Sequence, residues 1–279
     1  MKSETLPTYD ETGTAGVPEP ADAPTWGSKV LKPQDAPVEV LIVDPITLPI
    51  ARLCARWRLH PLQITAVAFV SRMAAAAAFL WGSLGLGALL SIAGFFLDGI
   101  DGKVARLRNI DQELHGTLDF LCDQSAFAAM ALAVVSWTSR TNRLSAGLGV
   151  CLWLAAYMLL MAFTSTWFRL LLQSGSTDHH GAARRTLTAA VDAGDTGWLA
   201  TPLAFLLRTF TTVNTFMRRY RMLPYPGAIE SEVMVFMVAP LLHFNWVVVL
   251  AGTVLLLPDI AINLIMNVTT VLRRRSRDG

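Results

Sequence analysis

The chain has 279 residues, 53% of them hydrophobic and only 16% charged, which is too apolar for an ordinary soluble surface of this length. The formal net charge of +2 leaves no electrostatic footprint for nucleic acid, so no nucleic-acid partner is expected. Three cysteines, Cys54, Cys122 and Cys151, are scattered over apolar segments without metal-ligand spacing and read as buried small hydrophobes.

Residues 1–36 are rich in Pro, Ala, Thr, Glu and Asp and have little to bury, so they read as a disordered, mildly acidic tail. No basic stretch precedes an apolar run there, so the tail does not read as a signal peptide. Residues 37–61 form a juxtamembrane unit. Asp44-Pro45 is a helix-start signal with Asp as N-cap, and Ile46, Ile50, Leu53, Cys54 and Trp57 then recur at helical spacing. With Arg52, Arg56 and Arg58 on other faces, this predicts an amphipathic helix lying in the membrane interface.

Residues 62–279 predict an all-α, multi-pass membrane domain with about six transmembrane helices, each near the ~20 residues a bilayer requires. The spans fall at roughly 62–81, 84–104, 116–138, 145–173, 230–244 and 246–271. Arg72, inside the first, is expected to face the bundle interior or water. Between the fourth and fifth lies a polar insertion, residues 175–229. Its Asp178-His179-His180 cluster reads as a solvated loop, since nothing fixes its geometry. Trp198 to Met217 is amphipathic, and Arg218, Arg219 and Arg221 follow it. These arginines serve either as ordinary membrane anchors or as a phosphate-binding patch. Arginines and lysines crowd one set of connections, and the opposite set holds only Arg140 and Arg143. That bias predicts cytoplasmic termini, and places the acidic motif described next at the cytoplasmic face of the cell membrane.

The stretch from Phe95 to Gln124 carries Asp98, Asp101, Asp119 and Asp123 at the ends of two apolar segments. At about 100° per residue, Asp98, Asp101, Gly102, Ala105 and Arg106 share one side of a helix. Asp119 and Asp123, at i and i+4, stack on one face of the next. A short connection makes the two helices antiparallel and can aim all four carboxylates at one point. Such a cluster in an apolar setting would be forced to protonate unless cations bind it. Oxygen-only ligands favour Mg²⁺, Mn²⁺ or Ca²⁺ over zinc. Gly102 and Ala105 leave room for a ligand against the helix, and Arg106 offers a planar fork suited to phosphate.

Asp98-x-x-Asp101-Gly102-x-x-Ala105-Arg106 followed by Asp119-x-x-x-Asp123 resembles the signature of the CDP-alcohol phosphotransferase family. His60-Pro61-Leu62-Gln63-Ile64-Thr65 is similar to the way that family begins its first transmembrane helix. The resemblance implies a membrane enzyme that displaces CMP from a CDP-alcohol donor, CDP-diacylglycerol-like, with an alcohol or phosphorylated polyol as acceptor. It also implies two Mg²⁺ or Mn²⁺ ions on Asp98, Asp101, Asp119 and Asp123, with Asp123 as general base. Gly102, Ala105 and Arg106 would bind the nucleotide, and a homodimer would form. Two positions depart from the pattern: His115 stands where the family has Gly, and Leu62 where it tends to have Asn. The alternatives are an intramembrane prenyltransferase, an ion transporter with carboxylates in its path, and an inactive family member.

Overall fold

The computed structural model of the chain describes residues 30–110, 112–174, 212–264 and 267. The Asp178-His179-His180 cluster and most of Trp198–Met217 lie outside the described residues. Among those described the fold is helical, with one isolated parallel bridge between Asp35 and Met222.

A π-helical turn, Glu39–Val43, leads directly into α1 (Asp44–Arg56). The expected N-cap at Asp44 is corrected here. Val43 before it is already helical, with φ −75° and ψ −49°, and Asp44 makes no cap bond. Its carboxylate is buried instead, 2.9 Å from Lys103 Nζ and 3.2 Å from Arg221 Nη2. Two cationic partners satisfy a carboxylate better than one backbone N–H does. The amphipathic reading holds. Thr47 and Ala51 are buried against the protein, whereas Ile46, Ile50, Leu53 and Trp57 are exposed. An apolar face without protein cover, ahead of the first span, is the pattern of an interfacial helix.

α2 (Pro61–Leu80) starts sharply because His60 caps it. His60 Nδ1 accepts from the Leu62 N–H at 3.3 Å, and the His60 N–H donates to Gln63 Oε1 at 2.9 Å. Pro61 fills the first position, where a missing N–H costs nothing. α3 (Leu84–Arg108) ends at Asn109, whose φ of 51° puts it in the left-handed region that Asn tolerates better than most residues. The chain then reverses into α4 (Gln112–Arg140), and α5 (Leu144–Ser174) follows. Beyond residue 211 come helical residues 212–218, then α6 (Ala228–Glu232). α6 runs on through a π-helix, Val233–Val238, and a last turn, Ala239–Leu241. α7 (Trp246–Leu255) closes the described chain, which stays helical over residues 257–264.

Among the described residues, five helices are long and apolar enough to cross a membrane: Pro61–Leu80, Leu84–Arg108, His115–Arg140, Leu144–Thr166 and Trp246–Leu264. The sixth expected segment, 230–244, is helical but made of pieces of five, six and three residues, and it opens on two buried glutamates. It packs inside the bundle and still runs its depth, from Glu232 beside Arg72 to His243, whose carbonyl accepts from Arg143 in the turn between α4 and α5. Phe236 stacks on Phe127 at 6.2 Å and meets Trp153 edge-on at 5.0 Å, while Trp153 Nε1 donates to Ser231 Oγ.

The tail expected to be disordered through residue 36 ends sooner. Residues 30–36 form a strap against the 212–223 segment, where the Asp35 N–H donates to Arg221 O and its carbonyl accepts from Leu223, both at 2.8 Å. Gln34 Nε2 adds bonds to Asn214 and to the Met222 carbonyl. Polar composition hides this, because backbone groups and one amide hold the strap beside only two buried apolar side chains, Val30 and Ala36.

Candidate active site

α3 and α4 bring the motif residues together as their spacing predicts, with one exception. Carboxylate oxygens of Asp98, Asp119 and Asp123 lie within 4.8 Å of one another. Asp119 Oδ1 is buried and has no hydrogen-bond partner. Asp101 stands apart from this trio. It is 1% exposed, and its Oδ2 accepts from the Thr65 hydroxyl on α2 at 2.6 Å. His115 Nε2 lies 3.9 Å from Asp101 Oδ1, and neither ring nitrogen of His115 has a hydrogen-bond partner.

Arg72 faces the interior as expected, but its partners were not foreseen. It is 2% exposed and pairs directly with Asp123, and it lies 3.7 Å from Asp98 and 3.6 Å from Glu232. Four elements therefore meet at one guanidinium: α2, α3, α4 and α6. Sequence reasoning missed Glu232, and its only signal was a carboxylate at the start of an apolar segment.

A cavity of about 290 Å³ opens over this cluster. Asp98, Asp101, Asp119, Asp123 and Glu232 supply its acidic part, and Phe95, Phe127, Tyr157 and Ile229 its apolar part. Gly102 and Arg106 line it as well, and a Cβ at Gly102 would lie 3.5 Å from the Arg106 guanidinium. Arg106 is thus folded over the bare helix surface, while its Nε donates to the Val30 carbonyl at 2.5 Å. Ala105 is fully buried and does not reach the cavity.

Lys32 and Glu39, both missed by the sequence reading, also line it. Lys32 pairs with Asp35 at 3.3 Å and is half-exposed. Burial raises the Glu39 carboxyl above its ordinary range, and the Lys103 ammonium opposes that rise. Of the basic cluster, Arg221 reaches the strap and Asp44, donating from Nε to the Lys32 carbonyl at 3.0 Å. Arg218 and Arg219 are exposed.

The donor set fits a hard divalent cation. Three carboxylates converge and one buried oxygen is orphaned, while sulfur and imidazole are absent from the trio. One cation already sits beside the trio in covalent form, the Arg72 guanidinium.

Comparison with known proteins gives the family. The sequence model of the family described as CDP-alcohol phosphatidyltransferase matches residues 58–272. No curated protein matches the chain. Among solved structures it is similar to the apo form of the phosphatidylinositol phosphate synthase of Mycobacterium tuberculosis. The two are 19% identical with a TM-score of 0.42, over 77% of this chain and 94% of that one. That likeness is too loose to carry any residue's role across. The family match alone covers well over half of the sequence, and so the chain belongs to the CDP-alcohol phosphatidyltransferase family.

Proposed function

We propose that the protein transfers a substituted phosphate from a CDP-alcohol, CDP-diacylglycerol-like, to a hydroxyl acceptor and releases CMP, as a step in phospholipid or related phosphodiester synthesis. The observation that carries this reading is the convergence of Asp98, Asp119 and Asp123 beneath Gly102 and Arg106 in one cavity of a membrane bundle. The catalytic unit is the membrane domain, residues 62–279, with the 175–229 insertion and both termini on the cytoplasmic side of the cell membrane. Arginine bias supports that orientation.

Asp98, Asp119 and Asp123 would hold Mg²⁺ or Mn²⁺, with Asp101 close enough along α3 to complete a second position. When bound, the metal would neutralise the diphosphate and stabilise CMP as leaving group. The chain's own groups do the rest. Arg106 orients a phosphate of the nucleotide across the open face at Gly102. Asp123 accepts the proton of the acceptor hydroxyl as its oxygen attacks the β-phosphorus in line. The new oxygen–phosphorus bond forms as the bond to the bridging oxygen of CMP breaks. Phe95, Phe127 and Tyr157 keep one side of the cavity dry, which strengthens every charged contact inside it.

The test is direct. Purified protein is incubated with a panel of CDP-alcohols and acceptors, with Mg²⁺ or with excess EDTA, and CMP is measured. Release that requires both substrates and is lost in EDTA is expected. Equal turnover in EDTA would remove the metal from the reading, and no CMP from any donor would remove the reading itself.

A further inference from the structure

Arg106 is a long side chain with many rotamers, and a ligand that has to order such a group loses affinity in doing so. Here the order precedes any ligand. Arg106 Nε donates to the Val30 carbonyl, and a Cβ at Gly102 would lie 3.5 Å from Nη1 and 3.7 Å from Nη2. With its inner N–H engaged, the planar fork keeps both terminal nitrogens over the bare surface of α3. The acceptor comes from the strap, ahead of residue 58 where the family match begins.

Val30 is itself buried, and Arg221 grips the strap just behind it. Its carbonyl accepts from the Asp35 N–H at 2.8 Å, and its Nε donates to the Lys32 carbonyl at 3.0 Å. Its Nη2 donates to Asp44 Oδ2 at 3.2 Å, which fastens the same side chain to α1. Lys32 is two residues from Val30, so the grip is close to the carbonyl that Arg106 uses. The Arg221 backbone has φ 59°, a left-handed conformation that residues with a side chain adopt reluctantly. Gln34 adds its bonds to Asn214 and to the Met222 carbonyl.

We propose that Arg221 is a positioning residue for nucleotide binding: it clamps the strap so that the Val30 carbonyl holds Arg106 ready for a phosphate. This rests on the reading of Arg106 as the group that orients that phosphate. Arg221 is not part of the cavity lining, so it acts through the strap. Carboxylates line the same cavity, Asp98, Asp101 and Glu39 among them. A loose Arg106 would turn to these acids, and each nucleotide would have to win it back. The Val30 tether removes that competition before the substrate arrives.

The experiment uses the full chain in nanodiscs. CMP affinity with Mg²⁺ is read by calorimetry, strap docking by hydrogen exchange of residues 30–36, and kcat by CMP release. R221G removes the guanidinium, while glycine suits the left-handed backbone. Q34A loosens the strap by a second route and leaves Asp44 and Lys103 alone. Both variants should speed exchange of the strap. Both should weaken CMP about fivefold, the scale of ordering one long side chain, with kcat little changed. In an R106Q background, where the phosphate contact is already gone, R221G should weaken CMP no further. Should R221G fail to fold, Q34A with and without R106Q completes the same cycle. Equal weakening in both backgrounds would overturn the proposal by giving the strap a route to the nucleotide that bypasses Arg106. Faster exchange with unchanged CMP affinity would overturn it by making the strap structural only, and unchanged exchange in R221G would show that Arg221 clamps nothing. If wild-type protein binds no CMP but R221G frees the strap, the clamp stands and the proposed function fails.

Discussion

The Lys103 ammonium stands 2.9 Å from an Asp44 carboxylate oxygen, the same distance from one of Glu39, and 3.0 Å from the Gly99 carbonyl. At 2% exposure it is a buried cation that ties α3 to the start of α1 and to the turn before it. Removing it leaves Glu39 charged without its ammonium partner and Asp44 with Arg221 alone, which costs about 3–5 kcal/mol. Lys103→Met should therefore lower the unfolding temperature in detergent by many degrees, whatever it does to turnover. Melting at the wild-type temperature would show that the network adds nothing to stability.

Asp123 and Asp119 lie one turn apart on α4, yet different outcomes are expected of them. Asp119, with its orphaned oxygen, should be needed for metal, so Asp119→Asn should lose Mn²⁺ binding and CMP release together. Asp123→Asn should keep donor affinity and lose turnover by about 10²–10⁴, the usual scale for removing a general base. Calorimetric binding of the donor to each variant, beside kcat, separates the two roles. Near-normal turnover in Asp123→Asn would discard it as the base.

Lys32 belongs to the strap, ahead of residue 58 where the family match begins, yet it lines the cavity. A half-exposed lysine at the mouth of an acidic site suits an incoming phosphate. Lys32→Ala should raise KM for the anionic substrate about fivefold, the scale of an exposed ion pair, and leave kcat alone. Raised salt should shrink the difference between variant and wild type. An identical KM in both proteins would restrict the strap to a structural part.

The orientation proposed from arginine bias is open to cysteine labelling in sealed cells. In a cysteine-free background, Asn142→Cys, in the exposed turn between α4 and α5, should react with an impermeant reagent from outside. Arg219→Cys should react only after the cells are opened. The reverse pattern would place the aspartates on the outer face.

Much of the site was legible because its residues are local. The i, i+3 and i, i+4 spacings of Asp98, Asp101, Asp119 and Asp123 fix shared faces before any tertiary contact forms. What escaped were partners drawn from afar. Glu232 meets Arg72, and Glu39 meets Lys103, across packing that no window of sequence contains. Asp44 misled for a related reason. Its local chemistry favours a cap, and only the distant Lys103 and Arg221 make burial the better choice. Asp101 shares a face with Asp98, but Thr65 on α2 draws its carboxylate aside.

α1 has exposed Ile46, Ile50, Leu53 and Trp57 on one side and, on the other, Asp44 bound to Lys103, less than two turns along α3 from Asp98. The helix is therefore a float rigidly moored to the chemistry. The height at which α1 rides among the headgroups sets how deep the carboxylates lie beneath the membrane surface. Under the proposed function, a donor anchored in the leaflet and an acceptor arriving from water would then meet at one fixed level. Changes in bilayer thickness would shift α1 and the aspartates together and leave their spacing intact.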